Sequence, residues 1–239
     1  MGADLMPPMR AVAVVAILAS VALSGCFEPY RVHVPGADVE ATGLDWNVTK
    51  LPHDGSTFGT KTVETRYVHS PADGGPPYPG VLQVFGLRGD GADDVEQLHD
   101  IAQQVIQEAI EREGISIDST KDASGRRDLA NGKETKWFSH TGRIESSSAD
   151  SIFLPGDADH LVVHVHGEVG YDGRAKTGFI AVAYVQVGTH TDSNLPGVIP
   201  ATEQEDLRTW FAVVADPSGS VDGASLPDGG MIYNLRTHG

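Results

Sequence analysis

His160, His164, His166 and Glu168 are the residues of this chain whose types and spacing come nearest to a chemical site. In an extended strand residues i and i+2 share a face, so all four project to one side. Two imidazoles at His-x-His spacing can reach one divalent transition metal, with Glu168 or a residue of a neighbouring strand completing the set. Asp157, Asp159 and His140 are further possible ligands. The opposite side of the stretch reads Leu161, Val163, Val165 and Val169. A half-buried strand with a solvated polar row therefore produces the same pattern, and spacing alone favours that row over a metal site.

Other chemistry finds less support. Gly170 to Thr177 has the outline of a phosphate loop, but Ala175 stands where the second glycine belongs. A strand pattern follows it, so the helix N-terminus that would hold a phosphate is missing and a hairpin turn is expected. There is no Gly-x-Ser-x-Gly elbow for a serine hydrolase. Carboxylate pairs such as Asp157 and Asp159 can do acid–base work, but such pairs arise by chance in an acidic chain. Asn47-Val48-Thr49 is a glycosylation sequon, meaningful where the host modifies exported proteins. The residues read as a binding protein before an enzyme.

The single cysteine carries a sharper message. Arg10 precedes an apolar run from Ala11 to Leu23, and small residues lead to Cys26. The run has the length of an export-signal core and falls short of the ~20 residues that span a bilayer. Leu23-Ser24-Gly25-Cys26 resembles the lipobox of prokaryotic lipoproteins. That resemblance implies cleavage before Cys26, acylation of its thiol (palmitate-type chains) and placement at the extracytoplasmic face of the membrane. It covers residues 1–26, with translation starting at Met1, Met6 or Met9. Two or three acyl chains anchor stably, at ~0.8 kcal/mol per buried methylene. A thiol engaged by lipid leaves neither a disulfide nor a cysteine nucleophile.

The chain has 239 residues and a formal charge of −16, from 17 Lys and Arg against 33 Asp and Glu. Such a surface repels phosphate backbones, and the one basic doublet, Arg126-Arg127, lies between Asp122 and Asp128. Nucleic acid is not an expected partner. The membrane is, through lipid on Cys26, together with a protein partner at that face.

Periodicity supplies the elements that position these residues. Residues 26–41 show little of it and read as a tether after the 1–25 signal. Strands are expected near 44–48, 61–69, 81–87, 115–119, 134–144, 160–169 and 179–187, with a turn at Asn131-Gly132. Val95, Leu98, Ile101, Ala102, Val105, Ile106, Ala109 and Ile110 recur at helical spacing between Asp94 and Glu113. Asp93 is the expected N-cap, Glu96 its capping-box partner, and Gly114 the stop. A second amphipathic helix is expected at Glu203 to Ala215, capped by Thr202, with Leu207, Trp210, Phe211 and Val214 as its stripe. Residues 216–239 read as a Gly-, Asp- and Ser-rich tail with one possible strand at Met231 to Leu235.

These parts predict an α+β domain over residues 42–215, a mostly antiparallel sheet packed against two amphipathic helices. Their order resembles the PsbP-like fold. The resemblance is carried by Leu44-Asp45-Trp46, Val81 to Leu87, the helix from Asp94, Asn131-Gly132 and the hairpin His160 to Val187. It implies a binding or assembly module. The serine-containing loop at 145–151 and the stretch past Asp216 depart from that plan.

Overall fold

The computed structural model describes residues 31–53, 62–69, 80–112, 115–117, 119, 122–145, 160–189 and 229–238. The strands are β1 (Arg31–His33), β2 (Asn47–His53), β3 (Thr62–His69), β4 (Gly80–Leu87), β5 (Ser116–Ile117), β6 (Ala123–Asp128), β7 (Glu134–Glu145), β8 (His160–Asp172), β9 (Thr177–Thr189) and β10 (Arg236–His238), the longer of them rich in apolar and β-branched residues. Three helical segments join them: α1 (Gly36–Glu40), α2 (Val95–Arg112) and α3 (Gly230–Tyr233).

Eight strands form one antiparallel sheet in the order β2-β3-β4-β9-β8-β7, and β5 and β6 pair successively along the outer edge of β7. The mostly antiparallel sheet expected from sequence is present. β8 is the inner strand of its longest ladders, paired through its whole length with β9 and through 160–170 with β7. The turn between β8 and β9 is a hairpin, with Lys176 at φ 50 and the Asp172 carboxylate accepting from the Arg174 and Ala175 amides. The outline of a phosphate loop resolves into that hairpin.

α2 packs one face of the sheet. Leu98, Ala102, Val105, Ile106, Ala109 and Ile110 are buried against Phe138, Val163, Val165, Val169, Ile180 and Val182. Its N-cap is Asp94, one residue later than expected: the Asp94 carboxylate accepts from the Gln97 amide at 3.0 Å. Glu96 closes no capping box and instead pairs with Lys136 and with Arg126 (2.7 Å), tying the first turn of α2 to the β6–β7 ribbon. Gly114, the expected stop, and the second helix expected at 203–215 lie outside the described residues.

The other face is closed by two segments that the sequence assigns to tether and tail. β1 pairs β10 antiparallel, Arg31 opposite His238 and His33 opposite Arg236. Val32, Val34, Met231, Ile232 and Leu235 are buried against Tyr67, Leu82, Val84, Trp137, Phe179 and Ala181. The tether therefore ends by Arg31, and residues 229–238 belong to the core. Low periodicity misled here because three-residue strands are too short to show any.

Side chains fasten this clasp to the sheet. The Val34 amide donates to the Tyr67 hydroxyl at 2.8 Å, and the Thr65 hydroxyl donates to the Val32 carbonyl at 3.0 Å. The Ala130 amide donates to the Tyr233 carbonyl at 2.9 Å, and the Asn131 amide group donates to the Leu235 carbonyl at 3.2 Å. Asn131-Gly132 makes the expected turn, with Gly132 at φ 73.

Candidate functional site

Alternation along β8 does place His164, His166 and Glu168 on one face, but that face is the one beneath the clasp. His164 is 1% exposed, and His166 and Glu168 are 0% exposed. The solvated row expected from sequence is a buried polar row. Register sets its neighbours: Trp137, Ser139 and Thr141 of β7 stand opposite Glu168, His166 and His164. On the other side Ala181 and Ala183 of β9 stand opposite Glu168 and His166. Two alanines beside two large polar residues leave room for the rings and the guanidinium that lie across them.

The charge of Glu168 is met by Arg127, which β6 delivers from the sheet edge. Arg127 Nε donates to Glu168 Oε1 at 2.9 Å and Nη2 to Oε2 at 2.7 Å, a bidentate pair. The Thr135 hydroxyl donates to Oε1 at 2.6 Å, and His166 Nε2 lies 3.1 Å from Oε2. Burial alone would raise the Glu168 pKa, but the Arg127 charge and the bonds from His166 and Arg127 outweigh it and hold it down at about 2. The His166 ring stacks on Trp137 with centroids 5.9 Å apart, and Arg127 lies over the Tyr233 ring of α3 at 6.0 Å.

His164 has a different environment. Its Nδ1 shares a hydrogen bond with the Thr141 hydroxyl at 2.8 Å. Burial, then the neighbouring His166 and His140, push its pKa down to about 3. It is a neutral imidazole at physiological pH, one that resists protonation.

The remaining expected ligands are not brought together with these. His140 alternates to the α2 face of β7, where its Nδ1 is 2.9 Å from Asp122 Oδ1. His160 stands at the first position of β8, and its side chain is outside the described part; Asp157, Asp159 and Cys26 are also outside it. Among the described residues no group of three or more His, Cys, Asp or Glu is disposed to hold a metal ion. Glu168, the carboxylate proposed to complete a set, is engaged by a guanidinium instead.

Sequence reasoning missed Arg127 and Thr135. The only signal was the isolated Arg126-Arg127 doublet in a lysine-poor chain. Alternation splits it, Arg126 to the surface pairs with Glu96 and Glu134 and Arg127 to the interior.

Comparison with protein-family models, with curated proteins and with solved structures finds no match. Three strands and the 229–238 segment converge on one buried ion pair, an arrangement that fixes their mutual positions. No helix among the described residues is long and apolar enough to cross a membrane.

Proposed function

We propose that the protein is a lipid-anchored module at the extracytoplasmic face of a membrane, serving to bind or assemble a protein partner rather than to catalyse a reaction. The observation that carries this reading is the ordered run of Arg10, the apolar stretch Ala11 to Leu23, and Leu23-Ser24-Gly25-Cys26. The buried Arg127–Glu168 pair is consistent with it, because it welds β6, β7 and β8 into a rigid body instead of presenting reactive groups. The same reading keeps the second amphipathic helix at Glu203 to Ala215, supported by its Leu207, Trp210, Phe211 and Val214 stripe, and the PsbP-like plan, supported by the order of strands and helix.

Replacing Cys26 by Ser tests the anchor. The expected outcome is an unprocessed precursor and loss of lipid-dependent membrane retention; unchanged size, processing and retention would refute it. Crosslinking of the membrane-bound protein then identifies the partner.

A metal-binding reading has one observation in its favour, the shared face of His164, His166 and Glu168. Elemental analysis of the purified protein, with and without His164→Ala plus His166→Ala, decides it. Stoichiometric metal that disappears in the double variant supports that reading, and absence of metal after reconstitution rejects it.

A further inference from the structure

The clasp end of the domain is basic on one side in a chain that is strongly acidic, with 17 Lys and Arg against 33 Asp and Glu. Arg31 opens β1, and Arg236 opens β10. Lys133 Nζ lies 3.0 Å from Asp172 Oδ1, and Thr237 of β10 donates to the other oxygen of the same carboxylate. The β8–β9 turn that follows Asp172 presents Arg174 and Lys176, both exposed. Five cations thus lie on the β1–β10 ladder or on the turns beside it, Lys133 paired with Asp172. The one acid among them, Asp172, is buried and engaged by Lys133, Thr237 and two turn amides.

Among the described residues, further acids near this end lie on the α2 side of the sheet. Asp90, Asp93 and Asp94 lead into α2, and Asp128 and Glu134 alternate to that face, where Glu134 pairs with Arg126. Asp38 and Glu40 of α1 belong to the clasp too, at its Val34 end rather than its Arg31 end.

The chain enters the domain at this rim. β1 runs from Arg31, at the turn end, towards Val34 beside Tyr67. Only five residue steps separate Cys26 from Arg31, so acylation would hold the ladder within about 18 Å of its lipid.

We propose that the rim formed by Arg31, Lys133, Arg174, Lys176 and Arg236 docks on anionic lipid headgroups, orienting the domain with the clasp towards the bilayer and the acidic α2 side away from it. Juxtamembrane cations attract an anionic surface only within about a Debye length, ~8–10 Å at physiological salt, and a lead of at most about 18 Å lets the rim settle into that range without forcing it there. The inference rests on acylation of Cys26.

The test uses the full acylated chain with a single fluorophore on Gly173→Cys, where a side chain meets only Tyr171 at 3.7 Å, or on Gln107→Cys of α2 as control. The acylated Cys26 does not compete for label. The protein is placed in phosphatidylcholine vesicles carrying a headgroup quencher, with or without about a third phosphatidylglycerol. The fluorophore at 173 is expected to be quenched in the anionic vesicles only, and the one at 107 in neither. Arg174→Gln with Lys176→Gln should lower the docked-to-undocked ratio by roughly twenty-five-fold, about fivefold per cation, and molar salt should do the same. Equal quenching at 173 in both vesicles, with mass spectrometry showing Cys26 acylated, overturns the docking and leaves the anchor standing. An unmodified Cys26 overturns both.

Discussion

Removing Arg127 should cost this protein a large part of its stability, and the size follows from what Glu168 keeps. In Arg127→Met the stem volume is roughly preserved, but Glu168 loses its two guanidinium bonds at 2.9 and 2.7 Å. It retains the Thr135 hydroxyl at 2.6 Å and His166 at 3.1 Å, too little to solvate a carboxylate with 0% exposure. Breaking a buried pair from one side costs about 3–5 kcal/mol, whereas replacing both partners by apolar residues is far gentler. The double variant Arg127→Met plus Glu168→Met should therefore be more stable than Arg127→Met alone. Urea unfolding followed by tryptophan fluorescence and circular dichroism reads this directly, and a loss of that size moves the midpoint by roughly 1–3 M. The pH dependence carries its own sign. In the native protein Glu168 is held at about 2 against an ordinary 4.5, so its contribution is present above 4.5 and lost as pH falls towards 2. In Arg127→Met burial is no longer offset by the guanidinium and that pKa rises, so the gap between variant and parent should narrow as pH falls. A cost below about 1 kcal/mol, or strictly additive effects in the double variant, would refute the claim that the pair is dry and coupled.

Two further outcomes are expected. His164 is held at about 3 against an ordinary 6.5, so the unfolded chain binds a proton that the native protein refuses, and stability falls as pH drops from 6.5 to 3. His164→Gln should remove up to ~1.4 kcal/mol per pH unit of that slope, and titration of urea midpoints that gives parallel curves would contradict it. Gly178→Ala would set its Cβ 2.3 Å from the Ala92 carbonyl oxygen and 3.1 Å from Leu98, so the segment leading into α2 must shift. We expect a loss of about 1–3 kcal/mol and faster amide exchange in the first turn of α2; a neutral effect would mean that approach is looser than the structure has it.

Much of the scaffold was legible because it rests on period. The eight apolar positions of α2 and the alternation of β8 declare their faces over enough residues to be read locally, and the near-continuous apolar runs of β4 and β9 mark strands covered on both sides. Burial of the His164-His166-Glu168 row was not legible, because a strand's own pattern cannot say what covers its polar side. The cover comes from 31–40 and 229–238, segments distant in sequence and too short for periodicity. β6 was invisible for a related reason: Ala-Ser-Gly-Arg-Arg-Asp has no apolar alternation, and only pairing with β7 makes it a strand. Arg127 went with it, so the residue that gives Glu168 its meaning was missing from the reading.

The ladder between Arg31 and His238 also governs when this molecule can fold. Its two strands are separated by about two hundred residues, so their meeting closes a very long loop, and such closures come late. During synthesis Val32 and Val34 wait for Met231, Ile232 and Leu235 before their side of the sheet can be sealed. A growing chain thus stays unfinished on one face until nearly all the described sequence has been made, and only then can it lock.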